Sequence, residues 1–327
     1  MLLNRTYFIL HPSAFILCCA IAAASAMAQQ YPVRAVRLIV PFPPGGGTDT
    51  MARVISPKLS ELLGQQVVPE NRGGAGANIG AEAAAKSTPD GYTIMLDTIT
   101  NAIGASLYTR LNYDLVRDFA TITQLATTPH ILVVHPSVPV KTVKEFIALG
   151  KARPGELAYS SSGAGSAAHL AGELFNSLTG VKTVHVPYKG GGPSMIALVG
   201  GEVSLAFATM PSAIGYVRAN RLRGVAVTTA QRSPSTPELP TIAETGVKGY
   251  EAGSWYGLSA PAGTSKDIVA RLHAETMKVM GMPDVKERLF NAGFEIVTSN
   301  PEQFAAFTRS EIQKWGKLVK AAGLRVD

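Results

Sequence analysis

Three glycine-rich loops hold the residues best suited to chemistry. In LIVPFPPGGGTD, residues 38–49, an apolar run meets Pro-Phe-Pro-Pro, then Gly45, Gly46 and Gly47, then Thr48 and Asp49. Proline presets φ and removes donors, whereas glycine lets the backbone approach another atom closely and point its N–H groups outward. A helix beginning at Thr48-Asp49, either of which suits an N-cap, adds unpaired N–H groups and the positive end of a dipole. Strand, rigid turn, glycines and helix start together describe an anion receptor made of backbone, or, more plainly, a tight corner. The second loop, LAYSSSGAGSAAHLAGELF at 157–175, runs from an extended segment through Ser160–Ser166 into a helix carrying His169. Hydroxyls and glycine N–H groups at a helix start suit a carboxylate or phosphate. The third, PYKGGGPSM at 187–195, again lies between strand and helix, with Lys189 as a candidate cation.

Other chemistries are weakly represented. No Gly-Lys-Ser/Thr follows the first loop, which excludes a Walker-type phosphate loop. Residues 163–168 fit G-x-G-x-x-A, but the next strand region, VKTVHVPYK, has no acid to take a ribose, so no nucleotide cofactor is expected. The glycines of RGGAGANIGAEAAA, at 74, 76 and 80, are out of register for that fingerprint and read as an entry to a helix. There is no G-x-S-x-G elbow and no close pair of histidines at metal spacing. His130, His135, His185 and His273 read as packed or solvated. His169 could serve as a base for Ser162 or Ser166, which keeps an exported serine hydrolase acting on a carboxylate or ester as the alternative, although no acidic partner accompanies them.

The elements that must position these loops alternate along the chain. Strands are expected at Val36–Phe42, Gln66–Pro69, Tyr92–Asp97, Leu157–Ser161, Thr183–Pro187, Val203–Ala208 and Leu222–Thr228. Helical faces fall between them, as with Met51, Val54, Ile55, Leu59 and Leu62, and again with Ile268, Val269, Leu272, Thr276 and Val279. This alternation predicts an α/β fold of mostly parallel sheets covered by helices on both sides. Two long extended stretches, 119–135 and 249–261, break the rhythm. If each crosses between sheets, domain one comprises 29–128 plus 253–327, domain two comprises 129–252, and a cleft lies between two lobes joined by two crossover strands. The loops after Tyr92–Asp97 (Thr98, Thr100) and after Val203–Ala208 (Thr209) would then face the same cleft, since ligands gather beyond the carboxyl ends of the strands.

Residues 1–28 combine Arg5, an apolar stretch and Ala26-Met27-Ala28, the pattern of a signal peptide cleaved before Gln29. Its removal takes away both cysteines, Cys18 and Cys19, and one of the chain's net positive charges, formally +7. A mature chain without cysteine has neither disulfides nor thiolate chemistry. The basic residues are scattered, with no stripe or interleaved aromatics for nucleic acid.

The blocks VPFPPGGGTD, ENRGGAGANIGAEAAAKSTPDGYTIML, YSSSGAGSAAHLAGELF, VPYKGGGPS, LRGVAVTTAQRSPSTPELPTIAETG and SWYGLSAPAGT together resemble the Bug-type periplasmic solute-binding proteins, the extracytoplasmic receptors of tripartite tricarboxylate transporters. The resemblance spans the mature chain. It implies a periplasmic-binding-protein fold, a periplasmic location, no catalysis, no cofactor or metal, a monomer, a small organic acid (a mono-, di- or tricarboxylate or an amino acid) as ligand and membrane transporter subunits as partners. It further implies that Phe42, Gly46, Thr48 and Asp49, with Thr98 and Thr100, face the ligand from domain one. Ser162, Gly163, Gly165, Ser166 and His169 would grip its carboxylate from domain two, with Tyr188, Lys189 and Thr209 completing the wall. The segment FATMPS lacks the acidic residue many relatives carry there, and DTITNA departs from the usual small polar residues. A receptor serving a sensor rather than a transporter would share all of these residues.

Overall fold

A computed structural model describes residues 31–321. The chain runs β1 (Val36–Val40), α1 (Gly47–Leu63), β2 (Val67–Asn71), α2 (Asn78–Ala85), β3 (Thr93–Thr98), α3 (Ile99–Leu107), β4 (Phe119–Val134), α4 (Val143–Ala152) and β5 (Ala158–Ser161). It continues α5 (Ala167–Thr179), β6 (Val184–Pro187), α6 (Gly191–Val199), β7 (Leu205–Thr209), α7 (Met210–Arg218), β8 (Arg223–Val227) and β9 (Gly253–Pro261). The C-terminal part is α8 (Lys266–Gly281), α9 (Pro283–Asn291), β10 (Glu295–Ile296) and α10 (Pro301–Ala321). The signal-peptide reading of residues 1–28 and both cysteines lie outside the described residues.

The strands form one continuous curled sheet in the order β2-β1-β3-β9-β4-β7-β5-β6, with β8 and β10 also paired to β4. Strands β1, β2 and β3 are parallel to one another, as are β5, β6 and β7. The two antiparallel strands β4 and β9 tie these halves together. From Phe119↔Pro261 to Pro129↔Gly253, β4 pairs with β9. From His130↔Thr209 to Val134↔Leu205 it pairs with β7, and on its other edge with β8. The partner therefore changes between Pro129 and His130, within the first of the two extended stretches.

Each half is covered on both faces, as parallel strands require. In the first half, β1 and β3 pack on one side against Met51, Ile55 and Leu59 of α1 and Leu272 and Val279 of α8. On the other side Ile39 and Met95 meet Ile103, Trp255 and Phe304. In the second half, Leu132, Tyr159 and Phe207 pack with Phe146 and Phe175 on one face, while Ile131 and Ala206 pack with Met195, Leu198 and Ile214 on the other. The expected helical faces are thus core faces, with Leu62, Ile268 and Val269 at their partly buried margins.

The expected N-cap of α1 is corrected. The cap is Gly46, without a side-chain bond. Asp49 sits in the first turn instead and accepts from the Gly45 N–H at 3.1 Å. The entry reading of residues 72–85 agrees with α2, which starts at Asn78 after Ala77 in a left-handed conformation.

One polar group is buried deep in this frame. Asp97, on the wholly buried β3, accepts a short hydrogen bond from the Ser259 hydroxyl, while its Oδ1 has no partner among the described residues. Burial raises its pKa from 3.8 to about 7, against the lowering effect of Ser259. Between those values the folded chain holds a proton that the unfolded chain has released, so stability falls as pH rises from about 4 to 7 and levels off above. We expect Asp97→Asn to gain on the wild type over that window in thermal denaturation. Parallel pH profiles for the two proteins would show that Asp97 is not a source of the decline.

Candidate functional site

The carboxyl ends of β1, β3, β5 and β7 meet at a narrow cavity of about 40 Å³, room for roughly three water molecules. Its wall from the first lobe is Phe42, Gly46, Gly47 and Thr48 after β1, and Thr98 and Thr100 after β3. The second lobe supplies Ser162 after β5, Ala167 and Ala168 of α5, Gly191 of α6, and Thr209 and Ser212 after β7. His130 of β4 and Ser254 and Tyr256 of β9 complete it from the crossover strands.

Lining residues come from the first turn or cap of five helices, α1, α3, α5, α6 and α7. Each helix N-terminus carries roughly half a positive charge and unpaired N–H donors. The caps of α1, α6 and α7, Gly46, Gly190 and Thr209, make no side-chain capping bond. By contrast, α5 is capped by Ser166, whose hydroxyl accepts from the His169 N–H at 3.3 Å. At α3, Asn101 Oδ1 accepts from the Thr98 N–H at 3.1 Å. No Lys, Arg, Asp or Glu lines the cavity. Its electrostatics are those of aligned peptide dipoles and hydroxyls, which favour an anion without a countercharge.

Seven of the fourteen residues anticipated for the ligand line this cavity: Phe42, Gly46, Thr48, Thr98, Thr100, Ser162 and Thr209. The others stand behind it or away from it. Asp49 faces Arg53 at 2.8 Å and accepts from Asn71 Nδ2 at 3.0 Å, bracing the first loop. Burial alone would raise its pKa, but the bonds from Arg53, Gly45 and Asn71 outweigh this and hold the carboxylate below its usual range. Gly163 donates to Ser161 Oγ at 3.1 Å, and Gly165 donates to His169 Nδ1 at 3.1 Å. Ser166 is consumed as the α5 cap. Tyr188 turns outward to Glu202, 3.3 Å away, and Lys189 is exposed.

The serine–histidine pair that a hydrolase would need is also absent. His169 makes no side-chain bond to Ser162, and its ring stacks on His185 at 4.0 Å between centroids. The Ser–His contact that does form, Ser161 Oγ to His185 Nε2 at 2.6 Å, is half-buried, and neither residue lines the cavity. Burial and the neighbouring His169 lower the His185 pKa to about 4. Among the described residues there is no group of His, Cys, Asp and Glu that could hold a metal ion, and no helix is long and apolar enough to cross a membrane.

Several lining residues escaped the sequence reading. Gly191 and Ser212 belong to loops already singled out, KGGGPS and TMPS. Ser254 and Tyr256 lie in SWYGLSAP, an extended stretch without a glycine signal. His130 was read as a packed histidine, and nothing in its neighbours distinguishes it. Tyr256 explains Gly47: a Cβ there would collide with the Tyr256 hydroxyl and lie 3.3 Å from Thr209 Oγ1.

The two lobes touch through glycine. A Cβ on Gly192 would collide with the Pro44 carbonyl and lie 3.3 Å from Gly45 Cα, and one on Gly190 would lie 2.8 Å from Pro43 Cδ. The triple glycine of the first loop is therefore packed backbone to backbone against the triple glycine at 190–192. The Ser-Gly loop has a separate partner, since a Cβ on Gly165, at φ +75°, would overlap Leu107 of the opposite lobe.

Two α/β lobes joined by crossover strands, with a cavity between strand ends, define a periplasmic-binding-protein fold. Residues 51–324 match the tripartite tricarboxylate transporter family receptor (TctC), and the chain belongs to that family of solute-binding receptors. It is 38% identical over 306 residues to Protein BugT of Bordetella pertussis, covering 93% of this chain and 94% of that one. Among solved structures, R. palustris Rpa4515 with adipate shares 39% identity at a TM-score of 0.87, covering 90% of this chain and 99% of the other. MatC from Rhodopseudomonas palustris with bound malate shares 32% at 0.84, over 88% and 100%.

The glycine seam makes a direct test. Gly192 lies in the first turn of α6 at an ordinary helical φ, so alanine strains nothing locally. We expect Gly192→Ala to hold the lobes apart, visible as an increased radius of gyration in small-angle scattering with an unchanged melting temperature. An unaltered scattering profile would mean that the seam tolerates a methyl group and does not set the closed geometry.

Proposed function

We propose that the chain captures the carboxylate of a small organic acid between its lobes and presents it to the membrane subunits of a tripartite transporter. The observation that carries this is the convergence of five helix N-termini on a cavity with no charged side chain. The adipate and malate complexes of its structural neighbours support an acid as ligand. On this reading the first lobe is 29–128 plus 253–327 and the second 129–252. Gly46, Thr48, Thr98 and Thr100 meet the carboxylate from one side, Ser162 and Thr209 meet it from the other, and Phe42 covers it. Gly163, Gly165, Ser166 and His169 shape the second loop, and Asp49 braces the first. The protein binds its ligand without converting it, acts as a monomer and reaches the periplasm through the signal peptide at residues 1–28.

Charge-assisted hydrogen bonds contribute about 1.5–3 kcal/mol each. Three or four of them, less ordering costs, give roughly 8 kcal/mol and micromolar affinity. A thermal-shift and calorimetric screen of the purified protein against mono-, di- and tricarboxylates tests the proposal, with adipate and malate as first probes. A ligand at a hundred times its dissociation constant stabilises by about 2.7 kcal/mol, worth about 4 °C for a chain of this size. Stabilisation by a sugar or a cation and by no carboxylate would refute it.

A further inference from the structure

The cavity ends on the crossover strands, and His130, which lines it there, carries a buried polar atom that nothing among the described residues satisfies. His130 is fully buried and its backbone is fixed from several sides. Its N–H donates to Thr228 Oγ1 at 2.8 Å, and the Thr228 hydroxyl donates to the Ala252 carbonyl at 2.8 Å. Across the ladder its partner is Thr209, itself a lining residue. At the ring, Nε2 lies 3.4 Å from Ser254 Oγ, while Nδ1 has no hydrogen-bond partner among the described residues. Unpaired buried nitrogens are costly, and one on a residue that lines a binding cavity acquires a purpose if a ligand completes it. Burial lowers the His130 pKa to about 4, so at neutral pH the ring is an uncharged imidazole that donates or accepts according to its tautomer.

We infer that His130 is a specificity-determining residue: its Nδ1 pairs with a second oxygen function, a hydroxyl or a further carboxylate, on an acid whose first carboxylate lies at the helix ends. The inference rests on the carboxylate reading above. The same cavity disfavours amino acids, because no Asp or Glu lines it to pair with an ammonium group and an unpaired buried ammonium is costly.

Calorimetry on the mature protein with butanoate, succinate and 3-hydroxybutanoate tests this. The wild type should bind succinate or 3-hydroxybutanoate at least tenfold more tightly than butanoate. His130→Phe, which keeps the volume and loses the nitrogen, should cut that preference below threefold, chiefly by weakening the bifunctional acid. His130→Gln, which keeps a donor and an acceptor, should recover part of it. A preference that survives His130→Phe overturns the inference, as does a proportionate loss for all three acids, the mark of a packing role. If His130→Phe fails to fold, His130→Leu, which also lacks the nitrogen, reads the same ratio, and an unchanged ratio again overturns it. Equal binding of butanoate and the bifunctional acids by the wild type removes the role of His130 alone, whereas binding of no acid at all removes the carboxylate reading itself.

Discussion

An anion taken out of water must find its compensation somewhere, and here the compensation is peptide backbone. Five helices begin at one cavity, and the dipole of each brings its positive end there. Much of the architecture follows from that requirement. Helices can share a focus only if the strands feeding them end together, which parallel pairing of β1 with β3 and of β5 with β7 provides. The caps at Gly46, Gly190 and Thr209 leave their N–H groups without a side-chain partner. Asp49, a carboxylate behind the wall, is tied to Arg53 and Asn71, where its charge is compensated before it reaches the cavity.

Periodicity and turn chemistry made the frame legible. Alternation of apolar runs with helical faces predicted both halves, and the two extended stretches became β4 and β9. Boundaries moved by only a few residues, as where Gln66–Pro69 became Val67–Asn71 and Val203–Ala208 became Leu205–Thr209. The small β10 had no signal, since two residues show no period. The loops at 42–48 and 98–100 were legible because a wall made of backbone advertises itself as glycine and hydroxyl residues at strand ends.

What sequence could not resolve was the pairing of loops across the cleft. PPGGGTD and SSSGAGS are each a glycine loop at a helix start, and nothing in either names the loop it meets. In three dimensions the partner of PPGGGTD is KGGGPS, and SSSGAGS faces Leu107 instead. Both contacts join residues far apart in the chain, and a glycine conserves no trace of which surface it permits. Lys189 and Tyr188 misled for a related reason. They stand beside Gly190–Gly192, but in the loop after β6 Tyr188 lies half-buried against the core of the second lobe, with its hydroxyl toward Glu202, and Lys189 points to solvent. His130 and Ser254 were hidden because a strand residue's exposure to a cavity depends on what packs opposite, which local pattern does not encode.

The five helix ends are divided between the lobes, α1 and α3 on one side, α5, α6 and α7 on the other. Among the described residues no Lys, Arg, Asp or Glu lines the cavity, so the field there is a sum of contributions divided between the two lobes. Separating the lobes by a few ångströms dilutes that sum and admits water at once. The strength of that field is then a matter of distance between two halves, not of the charge state of any side chain at the cavity wall.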